Sequence, residues 1–280
     1  MKVFKTVDSI QNYLSIIDKK KSLGFVPTMG ALHKGHLSIV NKAKNENSIV
    51  VVSIFVNPTQ FNNEDDLNKY PVTLENDLKL LETEHCDVVF IPSVNEIYSK
   101  NIKSEVFDFD NLDKVMEGEF RKGHFDGVGT IVKKLFEIIN PNRAYFGEKD
   151  FQQLQIIRKM VKNNNLPVKI IGCDIYREND GLAMSSRNTR LNTKQRNEAP
   201  IIYKTLIKAA ELFPNKDIHF VKEMVKKVYE TNDTLNLEYF EIADIETLKP
   251  ILIKNNDKKY RAFIAVFAGE IRLIDNIALN

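Results

Sequence analysis

Along the first 175 residues, short apolar runs alternate with segments in which apolar side chains recur every three or four positions. Leu23-Gly24-Phe25-Val26 reads as a buried strand, and Leu37, Ile39, Val40 and Ala43 follow it at helical spacing. Ser48 to Val56 is an almost unbroken β-branched run, the composition of a strand covered on both faces. The alternation continues through a helical segment Thr73 to His85, a strand Asp87 to Pro92, a helix over about Val128 to Ile139 and the strand Arg143-Ala144-Tyr145-Phe146-Gly147. A helix from Asp150 to about Lys162 and a strand over Val168 to Ile175 complete it. Buried strands separated by helices predict a doubly wound α/β domain over residues 1–175, with a parallel sheet and right-handed crossovers.

Past Asp180-Gly181 the pattern changes. Two helical stretches, about Thr193 to Leu212 and Ile218 to Glu230, precede three strand-like segments, Leu237 to Ile245, Arg261 to Ala268 and Glu270 to Ile277. Ala268-Gly269-Glu270 suits a tight turn between the last two, so residues 176–280 are expected to form a smaller mixed α+β domain with an antiparallel sheet. Asn62 to Asp66 and Asn163 to Asn165 read as short polar loops, and no internal repeat is visible.

Composition narrows the functional classes. With 280 residues, 43% hydrophobic and 28% charged, the chain is long enough for two cores and ordinary for a globular protein. Forty basic residues nearly cancel thirty-eight acidic ones, and a net charge of +2 gives no general attraction for a polyanion, so extended nucleic-acid binding is disfavoured. The longest apolar runs are too short to cross a bilayer, and Met1 to Thr6 lacks the apolar core of a secretory signal; a cytoplasmic protein that does not enter membranes is expected. Cys86 and Cys173 each border a strand-like run and read as core thiols, not a disulfide.

In open α/β sheets the ligand crevice lies beyond the carboxyl ends of the strands. Four loops that leave or closely follow predicted strands carry chemistry. In the first, Pro27-Thr28-Met29-Gly30-Ala31-Leu32-His33-Lys34-Gly35-His36, a strand meets a helix through two glycines and two histidines. Helix-start N–H groups attract phosphate, glycine permits close approach, and His33 and His36 add donors where negative charge builds up in transfer at phosphorus. As a zinc pair the histidines lack further ligands in a suitable pattern, since His85, His124, Cys86 and Cys173 are scattered. Ordinary packing histidines are the plainer reading of such a spacing.

The second loop, Asn57-Pro58-Thr59-Gln60-Phe61, offers the Gln60 amide, which both donates and accepts and suits a small hydroxy acid; a solvated glutamine is the plainer alternative. In the third, Gly147-Glu148-Lys149-Asp150, Lys149 is placed to clamp phosphate or simply to pair with a neighbouring acid. Asp150-x-x-Gln153 matches a capping box, which would occupy Gln153 unless the box is left unformed. The fourth, Met184-Ser185-Ser186-Arg187-Asn188, combines hydroxyl and guanidinium donors as a mobile phosphate clamp does, or forms a Ser-rich turn. Gly127-Val128-Gly129 lacks a third glycine in register, and no Gly-Lys-Ser/Thr loop or Gly-x-Ser-x-Gly elbow occurs, which weakens dinucleotide redox, Walker-type and serine hydrolase chemistry.

Taken together and in order, Pro27 to His36, Asn57 to Phe61 with Tyr70-Pro71, Gly147 to Asp150 with Gln152-Gln153-Leu154, and Arg177, Asp180-Gly181 and Met184 to Asn188 closely resemble the motifs of the pantothenate synthetase family, the pantoate–β-alanine ligases of the coenzyme A pathway. The likeness is strong from about Phe25 to Leu191 and looser beyond. His33-Lys34-Gly35-His36 is also similar to the His-x-Gly-His signature of the wider nucleotidyltransferase superfamily, whose Rossmann-like fold the resemblance implies. Where that superfamily's mobile loop opens on lysine this chain has Ala183, so charge neutralisation falls to Lys149 and Arg187.

The resemblance implies that pantoate and ATP give a pantoyl adenylate and pyrophosphate, and that β-alanine then displaces AMP. It assigns catalytic roles to His33, His36, Lys149, Ser185, Ser186 and Arg187. It places ATP against Met29, Gly30, Ala31, Leu32, His33, Lys34, Gly35 and His36, against Gly147, Glu148, Lys149 and Asp150, and against Tyr176, Met184, Ser185, Ser186 and Arg187. Gln60, Gln153 and Met29 are implied for pantoate. Magnesium is expected to accompany ATP without a dedicated protein cage, with Asp77 read as an exposed helix carboxylate or a distant aid to the ion. A homodimer also follows from the resemblance, and because water would otherwise hydrolyse the adenylate, residues 176–280 with the Met184 to Asn188 loop are expected to act as a lid. Two other readings compete: an adenylyltransferase of the same superfamily acting on a phosphorylated substrate, disfavoured by the paired glutamines, and a non-catalytic RNA-binding module, disfavoured by the near-neutral charge.

Overall fold

The computed structural model describes residues 1–61, 67, 68, 70–98 and 101–280; the Asn62 to Asp66 stretch read as a short loop lies outside them. The chain divides into two compact units. The first comprises Met1–Asp113, Glu117–Glu148 and Gln153–Asp174, and the second Lys114–Met116, Lys149–Gln152 and Ile175–Asn280.

The first unit is a Rossmann-like α/β layer structure. Its strands are β1 (Lys2–Phe4), β2 (Leu23–Thr28), β3 (Ile49–Ile54), β4 (Val88–Phe90), β5 (Arg143–Gly147) and β6 (Lys169–Cys173). They form one sheet of order β1-β4-β3-β2-β5-β6, parallel at every pairing. Helices α1 (Val7–Ser15), α2 (Lys34–Glu46), α3 (Leu74–Thr83), α4 (Val94–Tyr98), α5 (Glu117–Phe120), α6 (His124–Ile139) and α7 (Phe151–Asn163, held by this unit from Gln153 on) connect them. Val50, Val51, Val52, Val88, Val89 and Phe90 are all fully buried, which is why these strands read as unbroken apolar runs. From β2 the chain moves outward to β3 and β4, then returns to lay β5 on the opposite side of β2. The order therefore reverses between β2 and β5, and in open parallel sheets that reversal opens the ligand crevice.

The N-terminal β1 and α1 carry little sequence signal. The strand has three residues, and of α1 only Ile10 is buried, although Thr6 caps the helix by accepting the Ser9 N–H at 3.3 Å. Helix α6 starts at His124, ahead of the expected Val128, because Gly127 and Gly129 lie inside it. A Cβ at Gly127 would overlap the Thr59 carbonyl, so this glycine lets the helix pack against the 3-10 turn Pro58–Gln60 and has no phosphate-loop role.

The second unit contains an antiparallel sheet of order β7-β8-β9, with β7 at Leu235–Asp244, β8 at Tyr260–Ala268 and β9 at Ile271–Ala278. Gly269, at φ +61°, makes the turn between the last two. Helices α8 (Thr193–Glu198), α9 (Ile201–Leu212) and α10 (Ile218–Glu230) accompany it. The single helix expected over Thr193 to Leu212 is broken at Pro200, which has no N–H to continue the ladder. Ile202, Leu206, Val221, Val225, Ile242, Ile264 and Val266 meet in its core. No helix among the described residues is long and apolar enough to cross a membrane.

Both cysteines are free and buried, as their apolar surroundings implied. Burial pushes the Cys86 thiol up to about 12 and Cys173 up to about 11. At pH 8 roughly one Cys173 in a thousand is then a thiolate, and fewer for Cys86. We expect neither to react with Ellman's reagent over an hour in the folded chain, and two thiols per chain to react at once in guanidinium; a fast native-state reaction would contradict this burial.

Candidate active site

The loop after β2 is held by a carboxylate that sequence reading left on the surface. Asp77 on α3 is 1% exposed. Its Oδ2 accepts the Ala31 N–H at 3.0 Å, its Oδ1 the Leu32 N–H at 2.8 Å, and Thr73 Oγ1 donates to Oδ1 at 3.0 Å. Gly30 and Ala31 both sit at positive φ, +82° and +50°, a conformation that turns successive N–H groups toward one anion. A Cβ on Gly30 would lie 3.0 Å from Asp77 Oδ2, so glycine is required there by space as well as by φ. The exposed reading of Asp77 is thereby corrected: the carboxylate satisfies buried backbone donors. Removing it in Asp77→Ala strands two amides, and we expect a loss of about 2 kcal/mol in urea unfolding, with Asp77→Asn losing less because one acceptor survives. Equal stability of all three proteins would contradict this.

Beyond that pinned turn His33 caps α2. Its Nδ1 accepts the Gly35 N–H at 3.1 Å, and His36 Nδ1 accepts the His33 N–H at 3.4 Å, a reciprocal box built from two imidazoles. The rings lie 4.1 Å apart, centroid to centroid. A neutral imidazole that accepts at Nδ1 carries its proton on the other ring nitrogen, Nε2. Capping therefore uses the Nδ1 of each ring. The backbone cradle expected at the helix start is largely spoken for: Gly35 N–H goes to His33, and His36 N–H to the His33 carbonyl at 2.8 Å.

Gln60 ends the Pro58–Gln60 turn, and its Nε2 lies 2.8 Å from Met29 Sδ, which brings together two of the side chains implied for pantoate. Behind it, buried Asn57 donates to Gln60 Oε1 at 3.3 Å and to the Gly127 carbonyl at 3.1 Å, and accepts the Tyr98 hydroxyl at 2.6 Å. His124 Nδ1 lies 2.7 Å from the Gln60 carbonyl. In the sequence Asn57 is only part of a motif and nothing local marks Tyr98 or His124 for this role, because their partners lie 41 and 64 positions away. Gly147 and Glu148 leave β5 beside the same switch point, and Gln153 lies half-buried on α7.

The remaining candidates belong to the second unit. Lys149 and Asp150 lie in the 3-10 turn Glu148–Asp150, with Lys149 Nζ 3.9 Å from Asp150 Oδ2. Asp150 is thus part of a turn running directly into α7, and the capping role expected for it gives way to this arrangement. Arg177 bridges Ala183 in a short antiparallel pairing, and the Met184 N–H donates to the Tyr176 carbonyl at 3.0 Å. That hairpin delivers Ser185, whose Oγ accepts the Arg187 N–H at 3.3 Å and caps the 3-10 helix Ser186–Arg190. Asn188 Nδ2 donates to Glu178 Oε1 at 2.8 Å, while Arg196 spans Glu178 and Asp180, each at 2.6 Å. The segment is a braced turn that presents Ser185, Ser186 and Arg187 in sequence.

Among the described residues no group of three or more His, Cys, Asp or Glu side chains is arranged to hold a metal ion, and Asp77 is committed to amides.

Comparison with known proteins agrees with this architecture. The family model described as pantoate-beta-alanine ligase matches residues 2–278. The pantothenate synthetase of Christiangramia forsetii is 56% identical over 97% of this chain and 96% of its own, and that of Flavobacterium psychrophilum 53% identical over the full length of both. The crystal structure of pantothenate synthetase from Thermus thermophilus superposes with a TM-score of 0.92 at 38% identity, covering 100% of this chain and 99% of that one. A Francisella tularensis pantoate-beta-alanine ligase, described as complexed with beta-gamma ATP and beta-alanine, gives 0.82 at 35%, covering 100% and 98%.

Proposed function

The chain belongs to the pantoate–β-alanine ligase family, and from that premise we propose that it makes pantothenate in two steps through a pantoyl adenylate. A pantoate carboxylate oxygen attacks the α-phosphorus of ATP and pyrophosphate leaves; the β-alanine amine then attacks the acyl carbon and AMP leaves. The carboxylate is already ionised near neutral pH, so the first step needs no general base from the protein and depends on positioning and charge neutralisation.

In this reading His33 and His36 direct their Nε2–H donors at the triphosphate, and Lys149, Ser185, Ser186 and Arg187 neutralise and hold phosphate oxygens. Gly30 to Gly35, Gly147 to Asp150, Tyr176 and Met184 line the nucleotide. Gln60, Gln153 and Met29 hold pantoate, with Asn57 fixing the Gln60 amide. Magnesium bound to the phosphates supplies charge neutralisation when present. Residues 176–280 serve as a lid that keeps water from the adenylate. The family relationship also underlies a homodimer, for which light scattering should return twice the chain mass.

The observation that carries the proposal is the paired imidazole cap at the strand-order reversal, with the Nδ1 of each ring accepting a backbone N–H. Its test is AMP release, which should require pantoate and β-alanine together, while pantoate alone should support exchange of labelled pyrophosphate into ATP. AMP formation indifferent to pantoate would sink the assignment.

A further inference from the structure

Two neighbouring residues of β9, Asp275 and Asn276, touch both of the cationic segments held by the second unit. Successive strand residues face opposite sides of a sheet, so one strand can hold a different partner on each. Asp275 receives Arg177 as a fork, Nη1 to Oδ2 at 2.7 Å and Nη2 to Oδ1 at 3.0 Å. The same guanidinium donates to the Gly181 carbonyl at 3.1 Å and to the Asn276 carbonyl at 3.3 Å, and lies over the Tyr203 ring at 3.6 Å. The hairpin leading to Ser185, Ser186 and Arg187 is thereby fastened to β9. Asn276 Nδ2 donates to the Lys149 carbonyl at 2.8 Å, and its Oδ1 accepts from Arg261 Nη1. Arg261 in turn lies 4.2 Å over the ring of Phe151, two residues from Lys149.

Both residues are buried, Asp275 at 4% and Asn276 at 1% exposure, and the Asn276 N–H donates to Asp275 Oδ1 at 2.8 Å, which locks the pair to each other. A buried charge and a buried amide are costly unless fully engaged. Here the engagement is with main-chain and guanidinium groups adjoining the two phosphate-binding segments. A strand whose task was only to close a sheet would be better served by apolar residues.

We propose that Asp275 and Asn276 form a positioning clasp, setting Lys149 and the Ser185–Arg187 turn in one fixed arrangement so that both meet a single polyphosphate. This rests on the proposed ATP chemistry. Asn276 acts through the Lys149 main chain and does not itself touch substrate.

Asn276→Asp tests it, because the carboxylate still accepts from Arg261 but cannot donate to the Lys149 carbonyl. A misplacement on the ångström scale costs about 10- to 100-fold in rate. We expect kcat for pantoate-dependent pyrophosphate exchange to fall by that amount, with a parallel weakening of MgATP affinity in isothermal titration. In a Lys149→Ala background the same substitution should change either quantity less than twofold, since its effect passes through Lys149. Where Asn276→Asp is too unstable to purify, Asn276→Ala replaces it in the same cycle. Effects that simply multiply with those of Lys149→Ala, a loss below threefold, or failure of both variants to fold would each make Asn276 a structural residue and overturn the proposal. The titration separates the two hypotheses: a wild-type chain that binds MgATP but releases no AMP defeats the ligase reading and leaves the clasp to be judged on affinity.

Discussion

Replacing His36 by alanine is expected to slow adenylate formation about 100-fold or more, the usual size of losing one donor aimed at developing charge. Two effects are mixed in that substitution. The imidazole closes the box at the start of α2 by accepting the His33 N–H, and its loss as a cap costs about 1 kcal/mol in stability. It also removes the Nε2–H donor. Glutamine separates them, because a Gln three residues after the cap is a normal partner in such a box and accepts the same N–H. His36→Gln should regain the stability lost in His36→Ala while activity stays low. Pyrophosphate exchange and thermal unfolding measured on both variants give the answer. A change under threefold in either variant, or activity restored by glutamine, would reduce His36 to a helix cap.

Lys149→Ala is expected to cost about 100- to 1,000-fold in the same exchange reaction, because no neighbouring group replaces a cation removed from a triphosphate in a low-dielectric site. The stability effect should be small. The ammonium lies 3.9 Å from the half-exposed Asp150 carboxylate, and pairs of that kind contribute about 0–1 kcal/mol. Lys149 also places positive charge near Asp275, whose carboxyl burial pushes above the usual carboxylate range while Arg177, and to a lesser extent Lys149, pull it back. Lys149→Arg keeps the charge but replaces a compact ammonium by a planar fork, so partial activity is expected. The informative combination is a large fall in kcat with unchanged urea unfolding. Wild-type rates in Lys149→Ala would remove the residue from the phosphate path altogether.

The two variants probe different origins of precision. His36 is placed by local chemistry: a strand ends, a helix begins, and the capping geometry orients the ring. Lys149 is placed by contacts with residues more than a hundred positions away, and its backbone carbonyl is tied to β9. Disturbing the first requires a change on α2 itself. The second can be disturbed from Asn276, far along the chain.

Much of the fold was legible because strands buried on both faces must be apolar throughout, and Val50 to Val52 and Val88 to Phe90 meet that demand. That the loops after Thr28, Ile54 and Gly147 leave parallel strands was legible for a related reason, since those strands are marked by their apolar runs. What failed to show was every support supplied from a distance. Asp77 lies three residues after Leu74 and four before Leu81, on the apolar face of its helix, but its partners Ala31 and Leu32 are 46 and 45 positions away and only the folded chain brings them to it. Asn57 announces a turn, but its ties to Tyr98 and Gly127 need the folded chain. Gly127 fell just ahead of the expected helix, and its close fit against the Thr59 carbonyl needs the folded chain.

The sequence by itself determined the parallel layer, the antiparallel sheet and the strand-to-helix corner that carries His33 and His36, because periodicity and turn chemistry act over a few residues. Only the tertiary structure decided which acid would hold that corner, and that Lys149 is tied to β9, because buried polar groups choose partners by proximity in space, which chain order does not encode.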